Sequence, residues 1–401
     1  MTHAELRRAA ETEQRVTPLE LFYDLVFVFA ITQVSHHLLE HLTWEGAGQS
    51  ALLLLVVWWS WNYTTWVTNE LDPESPVVRL LMIALMLASL MMAAAIPDAF
   101  GDEAALFVGS YLAIQIGRHT FLTFAAADRG TLERARAGRI LVWFVAAGVL
   151  WVAGAVADGA ARTVLWVAAL AVDYGAPLAL FRVPGLATLG EDAWRVSTGH
   201  FSERFGLFVI IALGESIVLT GATISEAELG TATIAAFGVA FLTTAALWWL
   251  YFTYVARIAE RRLELAPNRT RIARDAYTYL HVLFVAGIIV SAVGDELVIA
   301  HPTEPLSGAE VAAVVAGPAI YLLAHALFRL RLTGTVSGRR LAGAVACALV
   351  GVVAADADAL VVAALVLAVL VAVLGLDHAV AVRRRRRGEP SPLERLEATA
   401  G

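Results

Sequence analysis

Residues 19–33 read LELFYDLVFVFAITQ, an apolar run that holds three polar side chains. Glu20 and Asp24 lie four positions apart, which places both carboxylates on one face of a helix. Gln33 lies deeper in the same run. With its apolar flanks the run is long enough to cross a membrane as a helix, and polar groups in such a helix are costly in lipid. It therefore indicates a membrane protein and marks three residues that need an explanation.

The composition of the whole chain agrees with this stretch. Of its 401 residues, 59% are apolar and 16% are charged, and the mean hydropathy is +0.70. A soluble domain has about a quarter of its residues charged. The apolar residues fall in runs of about 17 to 25, enough to span roughly 30 Å of hydrocarbon. The runs are rich in Leu and Ala and lack the alternation of strands, so we predict an all-α polytopic membrane bundle.

The apolar runs predict about twelve transmembrane helices, although the region 338–381 could hold one fewer. The predicted spans are 18–39, 48–68, 77–97, 104–127, 138–157, 160–182, 199–221, 230–256, 275–298, 307–330, 338–355 and 359–381.

The arginines predict the orientation. The chain has no lysine, and all of its 29 basic residues except Arg118, Arg162 and Arg204 lie at the termini or in alternate connections on one side. The opposite connections hold acidic residues, among them Asp98 and Asp295. Cytoplasmic loops are enriched in basic residues, so both termini are expected in the cytoplasm of a bacterial cell, with the chain in the plasma membrane. The polar first 17 residues lack the features of a cleaved signal peptide.

The chain also contains an internal repeat. With a shift of 182 residues, Leu25 matches Leu207, and Gln33 matches Glu215. Further matches follow in the same order, such as WWSWNYTTW at 58–66 with WWLYFTYVA at 248–256. Six spans separate each element from its copy, so the two halves have the same orientation in the membrane.

The repeat predicts the domain organisation and a class of function. We expect a cytoplasmic N-terminal segment (1–17), a first six-helix half (18–182), a cytoplasmic linker (183–198), a second six-helix half (199–381) and a disordered polybasic tail (382–401). Parallel repeats occur in secondary transporters, whose substrate site lies at the interface of the halves. The alternative is a duplication that serves packing alone.

Glu215 is the leading candidate for a functional residue. It lies eleven positions after Arg204, about 16 Å along a helix axis, and so well inside hydrocarbon. Burial favours its neutral form, and we expect it to bind solute or carry a proton, with Gly214 allowing a neighbouring helix to approach closely. The alternative is a protonated carboxyl that hydrogen-bonds a neighbouring helix. Gln33 occupies the equivalent place in the first half.

Other polar residues in the spans have two interpretations each. Glu20 and Asp24, near the cytoplasmic surface, could form a gate where a proton or cation enters, or could simply favour the positive end of the helix dipole. His200, Glu203 and Arg204 begin span seven, where ion pairs that join the halves are as plausible as chemistry.

Two further helices hold polar groups. Arg118 and Asp173, in spans four and six, are predicted to form an interhelical ion pair, which would relieve the insertion cost of both. His119 is more simply a packed, hydrogen-bonded histidine than a ligand. Trp58 and Trp59 lie too deep for interfacial anchors, which favours interior stacking.

Several classes of site are not predicted. The sequence has no phosphate-binding glycine loop, zinc-ligand spacing or nucleophile elbow, so we expect no catalytic residues, no cofactor and no metal. His36 and His37 could suggest a metal site, but adjacent residues point in different directions on a helix, which argues against one. The single cysteine, Cys347, cannot form an intramolecular disulfide. The five arginines 383–387 are interpreted as a topology anchor that attracts anionic lipid headgroups, not nucleic acid.

Two stretches resemble the bacterial low temperature requirement A (LtrA) family. They are TPLELFYDLVFVFAITQVSHHL at 17–38 and HFSERFGLFVIIALGES at 200–216, and the resemblance extends over most of the chain. It implies a multi-pass membrane protein linked to growth at low temperature, without a settled biochemical activity. The family's motif residues correspond here to Glu20, Phe22, Asp24, Gln33, His200, Glu203, Arg204, Gly214 and Glu215.

Together these features favour a secondary transporter or permease for an unknown small solute or ion, with proton coupling through intramembrane carboxylates. A non-transporting membrane protein that helps lipid or envelope adaptation to cold is the alternative, and a membrane enzyme is a weaker third. The sequence leaves the oligomeric state open.

Overall fold

The computed structural model describes Leu6, residues 16–190 and residues 197–398. The predicted N-terminal segment 1–17 therefore lies mostly outside the described residues, as do residues 191–196 of the predicted linker. The described part is all-helical, with 82% helix and no strands. Its helices are α1 Pro18–Glu40, α2 Trp44–Thr68, α3 Pro76–Ala94, α4 Ala104–Phe124, α5 Leu132–Val156, α6 Gly159–Leu178, α7 Thr198–Glu226, α8 Thr231–Tyr254, α9 Ala256–Leu265, α10 Arg269–Ile272, α11 His281–Ala300, α12 Gly308–Thr333, α13 Gly338–Val353, α14 Ala359–Arg386 and α15 Pro392–Ala398, with a π-helical stretch Ala273–Leu280 before α11.

The helix bounds follow local signals in the sequence. Proline is the first residue of α1 and of α3, where its missing N–H is not needed. Ser307 and Glu310 form a reciprocal capping box at the start of α12, and Gly334 ends that helix in the left-handed conformation with φ 68°. All twelve predicted apolar runs overlap one of these helices.

Eight helical segments within the described residues are long and apolar enough to cross a membrane. The helices α2, α4, α6 and α13 are not among them. α13 has 16 residues, about 24 Å at 1.5 Å per residue, and the other three have buried polar side chains such as Thr64, Arg118 and Asp173. The chain is thus a helical membrane protein, and the arrangement of twelve spans in two repeats stays a prediction.

Exposed apolar stripes mark the lipid-facing side of the helices. On α3 the exposed residues Leu80, Ile83, Leu87 and Leu90 recur at intervals of three and four, which is one face of a helix. The buried face is also mainly apolar, with Met82, Leu85, Met86 and Met92 beside Ser89. An exposed helix of a soluble protein has polar residues on its outer face, so the apolar stripe fits contact with acyl chains.

Contacts divide the chain into two compact units. The first comprises residues 1–37 and 49–201, and the second comprises residues 38–48 and 202–401. The boundaries therefore fall inside α1, inside α2 and near the start of α7, and the second unit includes an eleven-residue segment (38–48) that the predicted halves place in the first. The predicted repeat boundaries themselves stay a prediction.

In the first unit, the helices α3 to α6 each pack against the next in the sequence. Gly154 on α5 makes this possible at one point, because a Cβ there would collide with the indole of Trp166. That indole is fully buried and donates to the Trp151 carbonyl at 3.2 Å. α5 and α6 are therefore held together by a tryptophan seated over a glycine.

Among the helix pairs described in the second unit, α11 and α12 form the most extensive contact. A Cβ at Gly294 would lie 2.8 Å from the Val314 Cα, and one at Gly317 would lie 2.7 Å from the Ser291 Cα. Small residues of this kind let the backbones of membrane helices approach closely. The crossing of α11 and α12 therefore depends on glycines.

The predicted disorder of the tail 382–401 is wrong for much of its described part. α14 continues to Arg386, and α15 packs against α9 with Leu396 buried. The Ser391 N–H donates to Glu394 Oε2 at 2.6 Å, and the Glu394 N–H donates back to Ser391 Oγ at 3.2 Å. This reciprocal pair stabilises the first turn of α15. The spacing of Ser391 and Glu394 is a helix-start signal in the sequence, which the prediction of a disordered tail after the arginine run did not use.

Candidate functional site

Glu20 connects the first turn of α1 to the first turn of α7. Its Oε2 accepts from the Thr17 N–H at 3.0 Å and the Thr17 hydroxyl at 2.9 Å, and its own N–H reaches Thr17 Oγ1 at 3.4 Å. Thr17 and Glu20 thus form a reciprocal cap on the first turn of α1. Its Oε1, however, lies 2.9 Å from His200 Nε2, and both side chains have no exposed surface. Glu20 therefore has both a structural contact and a titratable partner.

His200 has oxygen atoms at both ring nitrogens. Nδ1 lies 3.2 Å from Asn69 Oδ1, and Nε2 faces Glu20. A ring that donates at both nitrogens is an imidazolium, which suits a carboxylate at Glu20. If Glu20 is instead protonated, its hydroxyl can donate to a neutral Nε2. The pair therefore has two protonation arrangements that differ in which group holds the proton.

Asp24 lies one turn further along α1 and is also fully buried. Its Oδ1 accepts from the indole N–H of Trp61 on α2 at 2.8 Å. Beside it, the Tyr23 hydroxyl donates to Thr64 Oγ1 at 2.8 Å. The buried face of α1 thus meets the polar face of α2.

Arg118 on α4 binds the same polar face of α2. Its Nη1 donates to Thr64 Oγ1 at 2.7 Å and to the Ser60 carbonyl at 3.3 Å, and its Nη2 donates to Gln115 Oε1. The guanidinium also lies 5.6 Å from the centre of the Tyr63 ring. Arg118 has no exposed surface, and all its hydrogen-bond partners among the described residues are neutral.

The predicted ion pair between Arg118 and Asp173 is wrong. Asp173 Oδ2 accepts from the Tyr111 hydroxyl at 2.7 Å and from the Trp151 indole N–H at 2.9 Å. Tyr111 precedes Arg118 by seven residues on α4, about 10.5 Å along the axis. The carboxyl therefore lies at the level of Tyr111, two turns from the guanidinium, a difference that the sequence does not reveal.

His119 is a packed histidine, as the simpler interpretation predicts. Its Nδ1 lies 2.9 Å from the Gln115 carbonyl of its own helix, and its ring contacts Tyr63 and Phe144. Trp58, Trp59 and Trp61 of α2 are interior as well. Trp59 has no exposed surface and stacks on Tyr174 with ring centres 3.8 Å apart.

The remaining candidates are distributed over both units. Gln33 is half-buried on α1, in the first unit. Arg204 and Glu215 are buried on α7, in the second unit, where Glu203 is exposed. A Cβ built at Gly214 meets no atom of the described residues within 4 Å, so no described helix makes the predicted close approach at this glycine.

Sequence reasoning missed Asp295 and the neutral partners of the buried charges. Asp295 was placed in an outer loop, but it lies within α11 and is 8% exposed. The polar run WNYTT in α2 was a visible signal for Thr64, which accepts from Arg118. Within the described residues, no group of three or more His, Cys, Asp or Glu side chains is arranged to hold a metal ion.

Comparisons with known proteins find relatives but no solved structure. The family model described as bacterial low temperature requirement A protein matches residues 15–375. An uncharacterized protein of Rhizobium meliloti (strain 1021) is 35% identical over 323 residues, which cover 80% of this chain and 78% of that protein. No solved structure matches this chain.

Proposed function

Since this chain belongs to the bacterial low temperature requirement A family, we propose that it is a secondary transporter or permease that moves a small solute together with protons. Ionisable side chains within membrane bundles are costly, and they commonly mark proton relays and solute pathways. The observation that carries the proposal is the fully buried hydrogen bond between Glu20 and His200.

The proton-coupling residues in this proposal are Glu20 with His200 in the first unit and Glu215 in the second. Glu20 and His200 are both titratable, and one proton can reside on either group at a separation of 2.9 Å. Glu215 is a carboxyl with 2% exposure in the middle of an apolar helix. Both sites offer a carboxyl that can change its protonation state during a transport cycle.

The test is proton movement in proteoliposomes that enclose a pH-sensitive dye. With the membrane potential clamped, a low-molecular-mass filtrate of cell extract is added outside. We expect wild type to move protons in response, and we expect Glu215→Gln and Glu20→Gln to fall to the level of empty liposomes, because an amide cannot carry the proton. The control is Glu226→Gln, an exposed carboxylate at the end of α7, which should behave as wild type. No response from wild type would remove the transport proposal.

We further propose that both termini lie in the cytoplasm, at the bacterial plasma membrane. The support is the one-sided distribution of arginine, with anionic headgroups as the natural partners of residues 383–387.

Single-cysteine labelling tests this orientation. In a Cys347→Ser background, Glu397→Cys in α15 and Thr303→Cys before α12 each place a thiol at an exposed position. In intact cells we expect a membrane-impermeant maleimide to label position 303 and to leave position 397 unlabelled until the cells are opened. Labelling of 397 in sealed cells would reverse the orientation.

A further inference from the structure

Arg118 is a buried cation whose charge no carboxylate balances at close range. It lies six residues before the last residue of α4, about 9 Å inside the helix end, and has no exposed surface. Among the described residues no carboxylate comes within ion-pair distance of it. Its partners are the Thr64 hydroxyl, the Ser60 carbonyl and the Gln115 amide oxygen.

Two other buried arginines of the described chain have a carboxylate partner. Arg136 pairs with Glu70, and Arg340 pairs with Asp377 at 2.9 Å. Arg162 donates to the Phe100, Gly101 and Ala157 carbonyls and lies 3.5 Å from Asp158. Arg139 is 6% exposed and donates to the Ala187 carbonyl, and its Nε and Nη1 also have no acceptor among the described residues. Arg118 differs from it in having no exposed surface at all.

The donors that remain on Arg118 match a carboxylate. A guanidinium has five N–H groups, and two on Nη1 and one on Nη2 are taken by the contacts above. The Nε–H has no acceptor in the described protein, and one Nη2–H remains with it. Two such donors are what a carboxylate accepts in bidentate pairing. The Gln115 Nε2 group, on the same helix, also lacks an acceptor among the described residues.

The surroundings of these donors suit a small organic ion. The Tyr63 ring faces the guanidinium and contacts Phe144 and His119. Aromatic rings give a low-dielectric setting, in which a charge-assisted hydrogen bond is stronger than in water.

We propose that Arg118, with Gln115, is the binding site for the carboxylate group of a small organic acid. The proposal rests on the proposed transport function and assigns its substrate class, a carboxylate anion held by the guanidinium edge. It also gives Arg118 a role beyond tethering α4 to α2 through Ser60 and Thr64. A role as a tether alone would not explain why the charge of Arg118 has no anionic partner or why two of its donors have no acceptor.

The test is binding at equilibrium, with no gradient. The full-length protein in nanodiscs is melted in the presence of acetate, succinate or benzoate, and in parallel with acetamide, succinamide or benzamide. We expect at least one carboxylate to raise the melting temperature above its amide, and a titration of that shift to give an affinity. Arg118→Gln should weaken this affinity about 10- to 100-fold, the loss of a charge-assisted pair, and Arg118→Lys should fall between the two.

Arg162→Gln is the matched control, since it removes a buried arginine from the same unit and should leave the carboxylate affinity unchanged. If Arg118→Gln does not fold, Gln115→Met and Arg118→Lys provide the same comparison, and both should bind more weakly than wild type. The proposal is overturned if no carboxylate raises the melting temperature of wild type, or if only chloride or phosphate does. It is also overturned if wild type and Arg118→Gln bind the carboxylate with equal affinity.

The two proposals fail separately in these assays. Carboxylate protection that depends on Arg118, without solute-driven proton movement in liposomes, would overturn transport and leave the binding site. Proton movement in liposomes without carboxylate protection in nanodiscs would overturn the binding site and leave transport.

Discussion

Gly317→Ala is expected to lower the free energy of unfolding by about 3 kcal/mol, within the upper range for overpacked sites. The new Cβ would lie 2.7 Å from the Ser291 Cα and would also collide with the Ser291 backbone nitrogen. Backbone atoms cannot rotate away as the end of a side chain can, so α11 and α12 would have to separate. Because this is the most extensive contact between helices of the second unit, the cost should reach the whole unit.

Thermal unfolding in detergent or nanodiscs measures this effect, with Gly375→Ala as the control. Gly375 lies exposed on α14, and a Cβ there meets no atom within 4 Å in the part of the chain that the structure describes. We expect Gly375→Ala to be neutral or slightly stabilising, because alanine favours a helix over glycine by about 1 kcal/mol. Equal melting temperatures for the two variants would show that α11 and α12 do not approach as closely as described.

Asp173→Leu is expected to be less stable than Asp173→Asn by about 2–4 kcal/mol, because two buried donors lose their acceptor at about 1–3 kcal/mol each. The donors are the Tyr111 hydroxyl and the Trp151 indole N–H. Both variants remove the carboxyl, so the comparison isolates the hydrogen bonds from the cost of burying a charge. Asparagine keeps a carbonyl oxygen that can accept from either donor.

The same pair of substitutions at Asp158 provides the control. The Asp158 side chain is fully exposed and makes only a 3.5 Å contact to Arg162. We expect its Leu and Asn variants to differ by no more than about 0.5 kcal/mol. Chemical or thermal unfolding followed by tryptophan fluorescence gives both differences. A small difference at position 173 would mean that Tyr111 and Trp151 find other acceptors.

The sequence predicted the helices well because the membrane imposes a simple rule. A segment that crosses hydrocarbon must satisfy its backbone internally, so long apolar runs become helices. All twelve predicted runs overlap a helix for this reason. The bounds were less accurate: the predicted span 275–298 ends two residues before α11 does, at Ala300.

The sequence also identified several polar residues that are buried, since a charge in an apolar run stands out. Glu20, Asp24, Arg118, Asp173, His200, Arg204 and Glu215 are all buried. It did not reveal their partners: Glu20 meets His200 across 180 residues of chain, and Arg118 meets Thr64 across 54. The predicted pair of Arg118 with Asp173 was wrong because charge complementarity alone does not fix the level of a residue along the bundle.

By itself, then, the sequence determined that this protein is a helical membrane protein of the low temperature requirement A family, and which residues are too costly to face lipid. Only the tertiary structure decided which groups share a hydrogen bond and that the Arg118 guanidinium keeps donors without an acceptor. The physical reason is one of scale. The length of an apolar helix is set by a hydrocarbon thickness of roughly 30 Å, whereas a hydrogen bond requires two atoms to lie within about 3 Å of each other. Helix periodicity does not reveal which helix is the neighbour, or at what level along the bundle its residues lie.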